Sequence, residues 1–327
     1  MRSFVKVVFL CAMLFGSSAY ANDSLAHVGV GGLVLQKTDD IAMVSEVLEI
    51  STKQIKVKYH FLNTSSSDIK TTVAFPMPAF NNAGERSEND SQMTDFKLFV
   101  NGVQMPVNIN RVFRIKGVDV TDQIRKTGLS EQQIFYPQFS CFSFSKNENR
   151  VCKLTPDQFA VIEKLGYRDY GDAAIEETAY WELVFPAGKE IEVIHEYKPF
   201  TGWVWAPANI SSRSEVDELF KKKETCMDDK TLEGITKSYL NREIPSDLWI
   251  GDVEYILGTG RNWKGPIKDF KLILKKEDPS QYVSLCFPGK PVKTSPTTIE
   301  FTQKNFVPQD KLYVIFYNWG TRLDRSN

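Results

Sequence analysis

The segment IKVKYHF, residues 55–61, alternates without a fault. Ile55, Val57, Tyr59 and Phe61 fall on one side of an extended chain, and Lys56, Lys58 and His60 on the other. A two-residue period of this kind fits a strand with one buried and one wet face, and it does not fit a helix. The same signature runs through most of the chain. IAMVSEVLEIS before it and IKTTVAF after it are strand-like. FKLFVNGVQMPVNI divides at Asn101-Gly102. Asn-Gly accepts the positive φ angles of a type I′ turn, which predicts a hairpin. TAYWELVF and KEIEVIHEY flank Pro186-Ala187-Gly188, which reads as another hairpin turn. DVEYIL, FKLIL, YVSLCF, TIEF and KLYVIFY complete the strand-like set. The fold class expected is mainly β, with two antiparallel β-sandwich-like domains and helical inserts.

The helical segments carry their own start and stop signals. TPDQFAVIEKLG opens with Thr155 as N-cap, Pro156 at the first helical position and Gln158 closing a capping box, and Gly166 ends it. VTDQIRKTG is a shorter helix. SEVDELFKKKE starts with Ser214 and Asp217, and DKTLEGITKSYL offers Leu232, Ile235 and Tyr239 as a partner face. The expected division is a leader over 1–21, an N-terminal β domain over 22–118, a mixed helical insert over 119–175, and a C-terminal β domain over 176–327 that carries a helical insert at 214–242.

The leader sets the compartment. Arg2 and Lys6 precede an apolar run from Val7 to Phe15, and Ala19-Tyr20-Ala21 supplies a small-x-small cleavage site. This reads as a secretory signal peptide cleaved after Ala21, with an apolar run too short to span a bilayer. The expectation is an exported, soluble protein with no membrane anchor. Removing Arg2 and Lys6 leaves 38 cationic side chains against 41 acidic ones, a net charge of −3. That balance supplies no field for nucleic acid or anionic lipid. Cys141, Cys152, Cys226 and Cys286 remain after cleavage. An even number in an oxidising compartment points to disulfides, with three connectivities open. Cys141–Cys152 with Cys226–Cys286 is the pairing expected, because it joins neighbours and near neighbours. Neither CxxC spacing nor a nearby histidine marks a zinc or catalytic cysteine site.

Four phrases carry a family resemblance: GGLVLQKTDDIAMVSEVLEIS (31–51), VAFPMPAF (73–80), YILGTGRNWKGPIKDFKLIL (255–274) and NFVP (305–308). They resemble a secreted bacterial family classified only as a domain of unknown function, of the DUF4424 type. The resemblance runs over nearly all of the chain past the leader. It implies a signal-peptide-bearing, β-rich protein of the bacterial periplasm or extracellular space and no particular reaction. The 141–152 cysteine pair looks like a local elaboration outside the family pattern.

GTGRNWKGP, residues 258–266, is the stretch richest in chemistry. A dinucleotide fingerprint needs glycine where Trp263 stands, a P-loop needs Gly-Lys-Ser/Thr, and both need a following helix. A strand-like segment follows instead. The leading reading is a turn-rich connection between two neighbouring strands, with Trp263 buried over the end of the sandwich. The competing reading is a ligand platform, in which Trp263 stacks on a sugar or peptide and Arg261 supplies a cation. Trp203 and Trp205 in GWVWAP share one face if that segment is extended. They are either a core cover or a second binding surface.

His195 shares a strand face with Ile191, Val193 and Tyr197, which makes it a core-edge histidine. No GxSxG, HxH or HExxH is present. Glu85, Glu88, Asp90 and Asp95 are a weak calcium pattern without EF-hand spacing. No metal and no cofactor are expected. The function expected is that of a non-enzymatic binder of a protein or glycan surface. The alternative is a hydrolase whose two carboxylates meet only in the fold.

Overall fold

The computed structural model describes residues 23–29, 32–80, 95–129, 155–167, 172–199, 201–206, 226–240 and 247–320. The strands are β1 (Ser24–Gly29), β2 (Gly32–Gln36), β3 (Ile41–Ile50), β4 (Ile55–Asn63), β5 (Ile69–Pro76), β6 (Lys97–Val100), β7 (Val103–Met105), β8 (Asn108–Ile115) and β9 (Val118–Asp119). They continue as β10 (Ala173–Phe185), β11 (Glu190–Tyr197), β12 (Thr201–Ala206), β13 (Asp247–Ile256), β14 (Ile267–Lys275), β15 (Tyr282–Leu285), β16 (Val292–Ser295), β17 (Thr298–Phe306) and β18 (Lys311–Gly320). The helices described are α1 (Thr121–Arg125), α2 (Pro156–Lys164) and α3 (Asp229–Leu240). The mainly β class, with antiparallel sheets and a few short helices, is as expected.

Three sheets form. Sheet A runs β2-β1-β5-β10-β8-β9, sheet B runs β16-β17-β14-β3-β4-β11-β6-β7, and sheet C runs β12-β13-β18-β15. The pairings are antiparallel except where β14 lies parallel to β3. The expected boundaries at 118 and 176 do not follow these sheets. β10 pairs with β5 and β8, β11 pairs with β4 and β6, and β14 pairs with β3. One core accordingly draws Leu25, Tyr59 and Phe75 together with Trp181, Val193, Tyr255, Leu272 and Phe316. Alternation specifies which face of a strand is buried but not which sheet it joins, and each half holds strands that complete the other's sheets.

Local signals behave as chemistry requires. Asn101 and Gly102 adopt φ of 49° and 80°, the type I′ signature, and join β6 to β7. Thr155 and Gln158 make the reciprocal capping box of α2. Gly166 beyond it has φ of 101°. The 186–188 turn is a correction. It does not close a hairpin, because β10 belongs to sheet A and β11 to sheet B. Phe185 and Ile191 flank it and both enter the core. The chain therefore arches over the edge of the core from one layer to the other.

Two satellite clusters complete the packing. α1 and α2 close one end of sheet A through Ile124 and Ile162 against Phe113 and Ile175. α3 covers one face of sheet C through Leu232 and Ile235, against Leu248 and Tyr317. A Cβ at Gly234 would lie 2.8 Å from the Tyr282 ring, so glycine is what lets the helix approach β15. Cys226, just before α3, is bonded to Cys286 at the end of β15, with Cα atoms 4.9 Å apart. The bridge staples the helix to sheet C. Cys141, Cys152, residues 214–225 of the expected helical insert and the 81–94 part of the acidic loop lie outside the described residues. No helix among the described residues is long and apolar enough to cross a membrane.

Candidate functional site

A polar cluster sits in the main core. Its assembly begins with an irregularity in β3, where the register against β4 shifts between Met43 and Ser45. The bulge inserts an extra residue, so Met43 and Glu46 both face inward although they are three apart. Glu46 then stands opposite Tyr59 of β4. On β11, the neighbour of β4, Ile191, Val193, His195 and Tyr197 all face the core. Tyr255 reaches in from β13, and its hydroxyl lies 3.1 Å from that of Tyr59. Asp23 arrives from the residue before β1. Asp23, Glu46 and His195 are each 0% exposed.

Burial governs the electrostatics. Asp23 is held well above the usual carboxylate range, first by desolvation and then by the neighbouring Glu46 charge. Burial pushes His195 down to about 3, which makes it a neutral imidazole at pH 7. Its Nε2 lies 3.5 Å from Asp23 Oδ1, long for a hydrogen bond. Both partners favour their uncharged forms, so this contact is a carboxyl beside an imidazole, not an ion pair. Tyr59 and Tyr255 are raised in the same way, chiefly by desolvation. Around His195 stand the rings of Tyr59, Phe75, Phe96 and Trp181, with centroids 4.8–5.5 Å away. Among the described residues its Nδ1 meets no hydrogen-bond partner. The core-edge position expected for this histidine is corrected to the centre of the core.

The 258–266 loop closes over the same region. Gly258–Asn262 form a short 3-10 turn, and Gly265 adopts φ of 70°. The loop joins β13 of sheet C to β14 of sheet B, so the two strands are not sheet neighbours as expected. Trp263 is 3% exposed. Its ring lies 4.4 Å from Phe61 and 6.1 Å from Phe185, centroid to centroid. Its Nε1 donates to the Asp23 carbonyl at 2.7 Å. Asn262 Nδ2 donates to Ser24 Oγ at 2.9 Å. Arg261 faces outward, where it donates to the Pro308 carbonyl at 2.8 Å and pairs with Asp310. The structure thus parts Arg261 from Trp263, and the ring that was to stack on a ligand is already covered by phenylalanines.

Trp203 and Trp205 lie on β12, at the edge of sheet C, opposite Gly251 and Trp249. The extended backbone puts them two residues apart on one strand, as the sequence implied. A Cβ at Gly202, the residue before Trp203, would lie 2.5 Å from Asp252 Oδ1. Glycine there admits the carboxylate of the next strand.

A family model for DUF4424, a domain of unknown function, matches residues 21–315. The chain belongs to this family. No curated protein matches the DUF4424 chain. Among solved structures it is similar to one from Legionella pneumophila, provisionally described as a nutrient binding protein, with 14% identity and a TM-score of 0.44. That likeness covers 91% of this chain and 70% of the other, and at this level it carries no argument about function.

The sequence reading missed Asp23, Glu46 and Tyr255 as members of one site. Asp23 lies two residues past the segment expected to be a leader, and Glu46 is inward only because of the bulge. Among the described residues, no group of three or more His, Cys, Asp and Glu side chains is placed to hold a metal ion. The core cluster can hold a proton, since burial favours the uncharged form of Asp23. It is sealed from any substrate approaching from solvent.

Proposed function

We propose that this DUF4424 chain is an exported, non-enzymatic protein that binds the surface of another macromolecule, a protein or a glycan. One observation carries the choice against the hydrolase alternative. Among the described residues, the two acids that meet in the core, Asp23 and Glu46, are 0% exposed. A glycosidase-type pair must face a cleft that admits the scissile bond and a water. The disulfide between Cys226 and Cys286 is compatible with an oxidising compartment. The binding surface assigned to this role is the edge of sheet C at Trp203 and Trp205. Tryptophans on an end strand suit both peptide addition and sugar stacking.

The test uses the exported protein on a printed glycan array and a peptide array, with Trp203→Ala and Trp205→Ala beside it. A ligand whose affinity falls at least about tenfold in either variant, at an unchanged melting temperature, supports the proposal. Turnover of a chromogenic glycoside or ester panel that disappears in Glu46→Gln overturns it in favour of hydrolysis.

A further inference from the structure

Helix α3 covers only part of the outer face of sheet C. Ile250 of β13 and Ile315 of β18 pack with the helix. Side chains alternate along a strand, so Glu254 and Tyr313 continue that same face beyond it. The two stand directly opposite each other on neighbouring strands. Tyr313 is 42% exposed, and among the described residues it is the one Phe, Tyr or Trp side chain that is exposed. Lys311, two residues before it, has its Nζ 2.6 Å from Glu254 Oε1. On the β12 side the floor ends at Gly202, which pairs with Asp252 and adds no side chain. On the β15 side the Cys226–Cys286 bridge anchors the head of α3, and Gln309 Nε2 donates to the Cys286 carbonyl at 3.2 Å. The bridge and the helix start therefore rise beside the 309–313 segment. Together these elements form a ledge, with sheet as its floor and the stapled helix as its wall.

We propose that this ledge is a binding site for a neutral saccharide, with a sugar ring packed on Tyr313 and its hydroxyls held by Glu254 and Lys311. The site deepens the binding reading above and rests on it, naming a second surface and one class of ligand.

Three features select that ligand. First, β13 and β18 are interior strands, each hydrogen-bonded on both sides, so this face offers no backbone edge to an added peptide strand. A ligand must rest on side chains. Second, those side chains are an aromatic surface beside a few placed polar groups. The C–H face of a pyranose packs on such a ring, and its hydroxyls can give protons to the carboxylate and take them from the ammonium. The phenol adds a hydroxyl that both donates and accepts. Partial burial, and then the Glu254 charge, raise its pKa and keep it protonated. Third, Glu254 and Lys311 already neutralise each other. A charged ligand has to displace one of them from its partner, whereas a polyhydroxylated neutral ring bonds to both and leaves the pair intact.

The experiment probes the full-length protein with an array of neutral oligosaccharides built from glucose, galactose, mannose and N-acetylglucosamine, beside a peptide array. The glycan bound best is then titrated by calorimetry against wild type, Tyr313→Ala, Tyr313→Phe, Glu254→Gln and Trp203→Ala. Tyr313→Ala is expected to weaken it at least about tenfold at an unchanged melting temperature, because the side chain is exposed. Tyr313→Phe keeps the ring and should stay within about threefold. Glu254→Gln should weaken the same glycan at least about fivefold, since a bond to a charged acceptor is lost. If Tyr313→Ala unsettles the fold, Glu254→Gln decides, and wild-type affinity in that variant overturns the site. Undiminished binding in Tyr313→Ala overturns it too. A glycan lost in Trp203→Ala and kept in Tyr313→Ala overturns the ledge and leaves the binding reading on β12. Peptide binding with no neutral glycan bound does the same, and silence on both arrays overturns the ledge and the binding reading together.

Discussion

Trp263 and Asp23 are joined by a 2.7 Å hydrogen bond from the indole Nε1 to the backbone carbonyl, across 240 positions of sequence. The bond ties the loop between sheets B and C to the first strand of sheet A. The residue that made this loop look like a ligand platform is thereby one of the contacts closing the core.

Trp263→Ala should lower stability by about 3–5 kcal/mol, the usual range for removing a buried large aromatic. Arg261→Ala should cost about 0–1 kcal/mol, because its partner Asp310 is largely exposed. Paired melting curves check both values. An unchanged midpoint for Trp263→Ala would restore the loop as a binding site.

Replacing Cys226 by serine should destabilise the protein by about 2–5 kcal/mol. The bond closes a span of 60 residues and anchors α3 to sheet C. Urea titration with and without reductant reads the difference. If reductant leaves the wild-type midpoint where it was, the bridge contributes nothing.

Gly234→Ala should destabilise although it sits in a helix. Helix propensity alone favours alanine by about 1 kcal/mol. The added Cβ would meet the Tyr282 ring at 2.8 Å, and overpacking of that kind costs about 1–3 kcal/mol. Gly234→Ala,Tyr282→Leu should recover the loss. A Gly234→Ala protein more stable than wild type would show that α3 yields freely.

His195 should give the protein an acid-side instability. Its folded pKa of about 3 lies below the ordinary 6.5, so the unfolded chain takes up the proton first. The stability it contributes is present above pH 6.5 and is lost as pH falls toward 3. The slope is at most about 1.4 kcal/mol per pH unit from this one group. The groups facing it are Asp23, Tyr59 and Trp181. Urea midpoints from pH 7 to 4 should fall less steeply in His195→Gln than in wild type, and parallel slopes would exclude the effect.

Much of this protein is determined locally and is legible in the chain. The alternation of 55–61 depends only on which side of an extended backbone each residue takes, and β4 buries Ile55, Val57, Tyr59 and Phe61 as that alternation dictates. Asn101-Gly102 and the Thr155–Gln158 box act within a few residues, so their turn and cap follow from composition. Sheet membership is decided over long distance. β10 and β11 look like a hairpin because each has one wet face, yet they part to opposite layers, and only packing of Phe185 against Phe61 and Trp263 settles that. The site was hidden for a similar reason. A single-residue bulge at 43–45 changes the phase of β3 and turns Glu46 inward. Alternation counted from Met43 puts Glu46 in water, and counted from Ile50 puts it in the core. A strand records both phases equally well, and the partner strand and the core that receives the side chain choose between them.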